Sequence, residues 1–127
     1  MRFEEEFNEW LRGSLAQPVP TTVKAFSFNL FELPESPEIK FGIELIGSAS
    51  FNENNSDWAC DEIWEPTARR IFIPKSFSGS SWELCLTSIR ALLLACLSSG
   101  VVAEKLKSSM GIGLGFVDGD LEVLWQP

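Results

Sequence analysis

Residues 80–100 read Ser-Ser-Trp-Glu-Leu-Cys-Leu-Thr-Ser-Ile-Arg-Ala-Leu-Leu-Leu-Ala-Cys-Leu-Ser-Ser-Gly, and the rest of the chain is organised around them. Ser80 and Glu83 have the spacing of a capping box, and the closing glycine suits the left-handed position that often ends a helix. Apart from Glu83, only Arg90 is charged, so most of the circumference should be buried. Serines interrupt the stretch, and a membrane span needs about 20 mainly apolar residues. The sequence therefore predicts a central core helix over residues 81–99.

On the N-terminal side of this helix, apolar and polar residues alternate as they do in strands. Residues 24–33 and 39–51 both alternate with a period of two, and the short turn at Pro34–Pro37 favours antiparallel pairing between them. Two shorter strands are predicted over 58–64 and 69–73. The first of these has no fully apolar face, which is typical of an edge strand.

The C-terminal residues show a hairpin pattern. Asp118-Gly119 is a strong signal for a type I′ turn between two alternating runs. Placing the turn there brings apolar residues opposite one another on a shared face. The predicted pairs are Phe116 with Leu121, Leu114 with Val123, and Ile112 with Trp125.

At the N-terminus, apolar residues recur at helical spacing opposite glutamates, which predicts an amphipathic helix. The apolar positions are Phe3, Phe7, Trp10 and Leu11, and the acidic positions are Glu4, Glu5, Glu6 and Glu9. The strands are grouped along the chain and do not alternate with helices, which indicates the α+β class. We expect one domain over residues 1–127, with an antiparallel sheet of about five to six strands packed on helix 81–99.

The 127 residues carry a formal net charge of −8, and this charge is unevenly distributed. Residues 1–65 hold thirteen acidic against four basic side chains, whereas residues 66–127 hold five against six. An acidic first half argues against nucleic-acid binding, which requires a basic surface. Solubility alone explains acidic character in many proteins, and a partner with a cationic surface is the more specific explanation.

The three cysteines, Cys60, Cys85 and Cys96, are an odd number and are interpreted as small buried apolar residues. Cys85 and Cys96 would lie about 16 Å apart along the central helix, which is too far for a disulfide. Together with the lack of a signal-peptide pattern, this predicts a reducing cytoplasmic location and no association with a membrane.

Histidine is absent, so the chain alone cannot build a Ser-His-Asp or Cys-His nucleophile system. The cysteines lack the paired spacing of a zinc site. The run Gly111-Ile-Gly-Leu-Gly115 leads into a strand, not a helix, so its glycines indicate close packing against the central helix or a bend instead of a dinucleotide loop. Asp118, Asp120 and Glu122 are interpreted as turn and solvent-facing residues. We predict no catalytic residue, no metal site and no cofactor.

Acidic residues crowd around two tryptophans in the middle of the chain, and this set is the candidate site. Its members are Asp57, Trp58, Asp61, Glu62, Trp64 and Glu65, with Glu53 nearby. Indole rings among carboxylates are typical of a protein interface with aromatic anchors and an acidic rim. Two other interpretations remain: a pair of catalytic carboxylates, as in glycosidases, or a sheet whose tryptophans cover the core while its acids face water.

In its size, its acidic charge, its single cytoplasmic-type domain and its lack of catalytic apparatus, the chain resembles the small immunity proteins that protect bacteria from polymorphic and contact-dependent toxins. The resemblance implies tight binding to a toxin domain with a basic surface, often a nuclease, whose active site is blocked. It implies that the four acids of the candidate site would meet basic toxin residues and that Trp58 and Trp64 would be anchors. The secondary candidates are Glu53 and the helix acids Glu4, Glu5, Glu6 and Glu9.

Two alternatives stay open beside this hypothesis. The chain could be a structural or adaptor subunit, for example a homodimer joined through an exposed edge at 58–64. Less favoured is a small enzyme that uses carboxylates. The oligomeric state cannot be read from the residues.

Overall fold

The computed structural model describes residues 2–34 and 36–127, and it shows four α-helices and six strands there. The helices are α1 (Phe3–Leu15), α2 (Lys75–Ser78), α3 (Trp82–Cys96) and α4 (Val101–Lys107). The strands are β1 (Ala25–Glu32), β2 (Ile39–Ser48), β3 (Glu62–Trp64), β4 (Arg70–Pro74), β5 (Ile112–Phe116) and β6 (Glu122–Trp125). A short 3-10 helix covers Ser56–Cys60. The predicted turn at Pro34–Pro37 includes Glu35, which lies outside the described residues.

The strands form one sheet in the order β3-β2-β1-β5-β6, and β4 also pairs with β2. β1 and β2 are antiparallel, as predicted, with Phe28 opposite Leu45. β1 and β5, however, are parallel, with Phe28 opposite Leu114. The α+β class, the number of strands and the N-terminal helix are therefore confirmed, but the sheet is mixed and not wholly antiparallel.

The parallel pair follows from the path of the chain between β4 and β5. Both β1 and β4 run antiparallel to β2, so β4 and β5 run in the same direction. A connection between strands of the same direction must cross over the sheet, and α2, α3 and α4 make this crossover. The local alternation of each strand does not reveal this long-range step.

One face of the sheet carries the apolar residues and packs against the helices. It contributes Phe26, Phe28, Leu30, Phe41, Ile43, Leu45, Ile112 and Leu114, all buried. The helices contribute Phe7, Leu11, Ile89, Leu93 and Leu106, none of which is exposed to solvent. Alternate residues of the strands point to the opposite face, which we call the polar face because it carries Ser27, Asn29 and Glu44.

Helix α3 covers less of the core than its composition suggests. Its cap lies one residue after the predicted one, since the hydroxyl of Ser81, not Ser80, accepts a hydrogen bond from the Leu84 amide at 3.2 Å. Its fully buried residues, Cys85, Ile89 and Leu93, form a single stripe, whereas Trp82 and Leu84 are each 56% exposed. The expectation of a widely buried circumference was wrong because α1 packs mainly against α4 and β4.

Among residues 2–34 and 36–127, no single helix is long and apolar enough to cross a membrane. By length and composition α3 and α4 reach that requirement only as a pair, and they are bent by 101° at the break between them.

The C-terminal hairpin forms, but its register is only partly as predicted. Ile112 does lie opposite Trp125, whereas an irregularity after Ile112 places Leu114 opposite Glu122. The turn comes one residue early, because the Gly119 amide donates to the Phe116 carbonyl at 3.0 Å. A type I′ turn requires positive φ at both central residues, and in the described chain positive φ occurs only at Gly79 and Gly100.

The three cysteines are free thiols with different surroundings. Cys85 is buried in α3, and this burial raises the pKa of its thiol to about 12. Cys96 is partly buried, and its pKa is also raised by burial. Cys60 is exposed, so the prediction that all three are buried was wrong for this residue.

Candidate binding site

The predicted site begins with the segment that carries Trp58, which is a 3-10 helix and not a strand. The side chain of Asn55 caps it by accepting from the Asp57 amide at 3.0 Å. The hydroxyl of Ser48, itself buried, donates to the Trp58 carbonyl at 2.5 Å and to the Asp61 carbonyl at 3.3 Å. These bonds hold the segment against the polar face of the sheet.

Both predicted anchor tryptophans pack inward. Trp58 is only 4% exposed, and its ring contacts Phe51 at a centroid distance of 5.1 Å. A side chain at Gly113 would collide with the Trp58 ring, so this glycine permits the ring to lie on β5. Trp64 is half-buried and meets the edge of Phe26 at 6.1 Å. Trp58 thus offers no ring surface to a partner, which corrects its predicted role as an anchor.

The same observation corrects the expected role of the Gly111–Gly115 run. Its glycines do permit close packing, but the neighbours are on the polar face and not on the central helix. A side chain at Gly111 would overlap the ring of Phe51, and one at Gly115 would come within 2.5 Å of the Asp120 carbonyl oxygen.

Two of the predicted acids are neutralised within the fold. The guanidinium of Arg69 binds Glu62 at 2.5 Å and also binds Glu65. It further binds Glu44, an acid of the central strand β2, at 3.1 Å. Arg69 thus joins three carboxylates from β2, β3 and the residue after β3. Its pKa is raised, chiefly by the hydrogen bonds to Glu62.

Glu44 is the centre of this network and is only 8% exposed. It accepts from Asn29 at 3.1 Å, and Asn29 in turn accepts from Ser27 at 2.8 Å. Burial by itself would raise the pKa of Glu44, but the hydrogen bonds from Arg69 and Asn29 and the charges of Arg69 and Arg70 outweigh it, so the pKa is lowered. The carboxylate is therefore held in its ionised form.

Sequence reasoning missed this network, although one signal for it was present. Glu44 lies between Ile43 and Leu45 in the strand with the cleanest alternation, and a charge there must find a partner on the polar face. Arg69 and Arg70 come just before and at the start of β4, the strand that pairs with β2 and places Arg70 opposite Glu44.

The remaining predicted acids are exposed. Asp57 lies in the first turn of the 3-10 helix and Asp61 directly follows it, and no ion pair involves either within the described residues. Glu53 accepts a hydrogen bond from the Gln126 side chain at 2.8 Å. It also lines a polar cleft of about 320 Å³, together with other residues of the 52–56 loop and with Asp120 of the last turn.

A second cleft, which we call the aromatic cleft, lies where β1 and β5 end beside the start of α3. Its volume is about 490 Å³, and its lining is largely apolar. The apolar lining residues are Phe31, Phe41, Trp82, Leu86, Phe116 and Val117. Phe116 links the β2 side of the cleft to the α3 side. Its ring is in edge-to-face contact with Phe41, at a centroid distance of 5.5 Å, and with Trp82, at 6.2 Å.

Three carboxylates border the aromatic cleft: Glu32, Asp118 and Asp120. Glu32 pairs with Lys40 at 3.8 Å. Asp118 and Asp120 are exposed, and neither has a cationic partner in the part of the chain that the structure describes. Asp120 also borders the polar cleft, so the two clefts adjoin at this residue.

No group of three or more Cys, Asp or Glu side chains in residues 2–34 and 36–127 is arranged to hold a metal ion. Comparison with protein-family models, with curated proteins and with solved structures found no match to this chain. The geometry of the clefts and of the surrounding charges is therefore the basis for a functional proposal.

Proposed function

We propose that this chain is an acidic binding protein for a protein with a basic surface, and that it acts as an immunity protein that blocks a toxin domain in the cytoplasm. The observation that supports this proposal is a group of five exposed acids that form no ion pair among the described residues. It comprises Glu53, Asp57, Asp61, Asp118 and Asp120, which we call the open acids.

Two separate parts of the chain supply the open acids. Glu53 comes from the loop after β2 and Asp120 from the turn before β6, yet both line the polar cleft. Like charges brought together in this way destabilise the free protein slightly, and a cationic partner relieves the repulsion. The field of such a surface also accelerates encounter with a basic protein at low salt.

The partner can be sought as a protein that co-purifies from the native host, or as the product of the gene immediately upstream. We expect the double variant Asp57→Lys with Asp61→Lys to slow association with this partner by about tenfold or more, because steering by charge contributes at least this much. The measurement is the association rate constant at low salt, from surface plasmon resonance. In the unaltered protein, raising the ionic strength should slow association in the same way.

The matched control makes the same charge change on α1, with Glu6→Lys and Glu9→Lys. These residues are exposed on the helical side of the sheet, away from the open acids. Equal slowing in both double variants would indicate a general effect of net charge and would contradict the proposed surface. If the partner is a toxin, co-expression should also restore growth of cells that produce it.

A further inference from the structure

We propose that the aromatic cleft binds an extended segment of the partner, and that this segment places an apolar side chain in the cleft and an adjacent Lys or Arg at its rim. This inference rests on the proposed function, since it names the part of a basic protein that the chain would recognise. The clefts, and not the predicted tryptophans, would then supply the anchor site.

The apolar part of the inference rests on Trp82 and its neighbours. Trp82 is 56% exposed and Val117 is 58% exposed, although both border a concave surface. Trp82 lies in the first turn of α3 and its ring contacts that of Phe116 at 6.2 Å, which restricts the ring before any partner binds. Exposed, pre-ordered tryptophans in concave surroundings are typical of residues that dominate binding energy.

The cationic part rests on the charges at the rim. Lys40 and Arg70 each lie 5.7 Å from the ring centroid of a lining phenylalanine, Phe41 and Phe31 respectively. Lys40 is occupied by Glu32 and by a hydrogen bond to the Ser80 carbonyl at 3.0 Å, and Arg70 is occupied by Glu44. Asp118 and Asp120 therefore remain as uncompensated negative charges next to an apolar surface. A Lys or Arg side chain fits this arrangement, because its stem is apolar and its head is cationic. The ring of Trp82 would attract the same cation.

The extended shape of the occupant rests on the continuity of the two clefts. The aromatic cleft has the volume of a small-ligand pocket, which is about 300–1,000 Å³. Beyond Asp120 the lining changes to the amide and hydroxyl groups of Asn52–Ser56, which can bond to a peptide main chain. A segment that crosses the 117–120 turn would place its side chains in the first cleft and its main chain along the second.

Three capped hexapeptides test this proposal, with binding followed by the indole N–H and backbone amide signals in NMR titrations. The first has the sequence Ser-Leu-Phe-Lys-Arg-Ser, the second replaces Lys-Arg by Glu-Glu, and the third replaces Leu-Phe by Gly-Gly. We expect saturable binding of the first peptide, with shifts at Trp82, Val117 and Asp120. The other two should bind at least about tenfold more weakly, since each lacks one of the recognised groups.

Variants of the chain localise the binding. Trp82→Ala should weaken binding of the first peptide by about tenfold or more, and Asp118→Asn with Asp120→Asn by about threefold to tenfold. The control pair Glu6→Gln with Glu9→Gln changes charge by the same amount on α1, at exposed acids that line neither cleft, and should leave peptide affinity unchanged. Spectra of each free variant confirm that it is folded.

Several results would overturn the proposal. These are equal binding of the first and third peptides, shifts that map outside the clefts, or no saturable binding of the first peptide. A dimer that Trp82→Ala converts to a monomer would assign the cleft to a second copy of the chain. If peptides fail to bind but Asp57→Lys with Asp61→Lys still slows the partner, only the cleft is wrong. If the first peptide binds in the cleft but the protein has no basic partner, only the proposed function is contradicted.

Discussion

Two regions of this molecule combine tryptophan with carboxylates, and they use them in opposite ways. In the 57–65 segment, Trp58 is buried and both Glu62 and Glu65 are bound to Arg69. At the aromatic cleft, Trp82 is exposed and Asp118 and Asp120 lack a cationic partner among the described residues. Trp58, Glu62 and Glu65 of the first region stabilise the fold, and only Asp57 and Asp61 of that segment stay open. The second region has both apolar surface and charge available for binding.

The difference shows that residue types alone do not distinguish a structural cluster from a binding surface. The acidic segment attracted attention because its acids and aromatic rings are adjacent in sequence. A single arginine, four residues after Glu65, neutralises part of that segment and ties it to Glu44. The cleft is assembled from separate segments of the chain, and no local pattern marks it.

The largest expected effect separates the two tryptophans. Trp58→Ala should lower the free energy of unfolding by about 3–5 kcal/mol, because it leaves a cavity between Phe51 and β5. Trp82→Ala removes a side chain that is more than half exposed and should cost less than about 1 kcal/mol. Urea unfolding followed by far-UV circular dichroism measures both values.

This pair of variants also tests the assignment of roles. A cost for Trp82→Ala as large as that for Trp58→Ala would show that Trp82 is covered in solution. The cleft would then be part of the core and not a surface for a partner.

The sequence predicted the elements of this fold better than their arrangement. The alternation of residues 39–51 and the apolar pattern of α3 are local, so most strands and helices were placed within a few residues. Residues 58–60 are the exception, because they belong to a 3-10 helix and not to the predicted strand. The parallel pairing of β1 with β5 depends on a crossover through three helices and has no local signal. The shift in the hairpin register came from a turn at Phe116–Gly119 that the Asp118-Gly119 dipeptide did not predict.

For the candidate site, the sequence predicted where carboxylates concentrate but not which of them remain open. Arg90 illustrates the part that can be predicted: the one mid-helix charge of α3 has to meet water or an acid, and it binds Glu122 at 2.6 Å. Whether Glu62 is bound or open depends on where the fold places Arg69, on the other side of a loop. This position is a property of the tertiary structure. The open state of Asp118 depended in the same way on which cations the fold brings near it.

An intermediate effect is expected from the ion-pair network. Arg69→Met keeps an apolar stem but leaves Glu44 buried without its main partner, and it should destabilise the protein by about 2–3 kcal/mol. Arg70→Met is the matched control, because Arg70 is more exposed and, among the described residues, forms an ion pair with Glu44 alone, at 3.3 Å. Its cost should be below about 1 kcal/mol.

Equal costs for the two arginine variants would contradict the central role of Arg69. They would show instead that Glu44 is satisfied by whichever cation remains. The segment 57–65 would then not depend on this arginine for its position. Its two acids that bind Arg69, Glu62 and Glu65, would resemble the open acids.

The smallest expected effect is the pH dependence that Glu44 contributes. Its pKa in the folded protein is below the ordinary value of 4.5, so folding favours the ionised carboxylate. The resulting stabilisation is complete above pH 4.5 and declines as the pH falls through the lower, folded pKa. We therefore expect Glu44→Gln to be less stable than the unaltered protein at pH 7, with the difference shrinking as the solution is acidified.

Urea unfolding at pH 7 and at about pH 3 gives this difference directly. Asp118→Asn is the matched control from the cleft: it is an exposed acid without a described partner, and the substitution should change stability by less than about 0.5 kcal/mol at pH 7. If the stability difference between the unaltered protein and Glu44→Gln grows on acidification, burial raises the pKa of Glu44 by more than the arginines lower it. The fold would then destabilise the ionised form of Glu44. The contrast between acids that are bound by arginine and the open acids would not hold for Glu44.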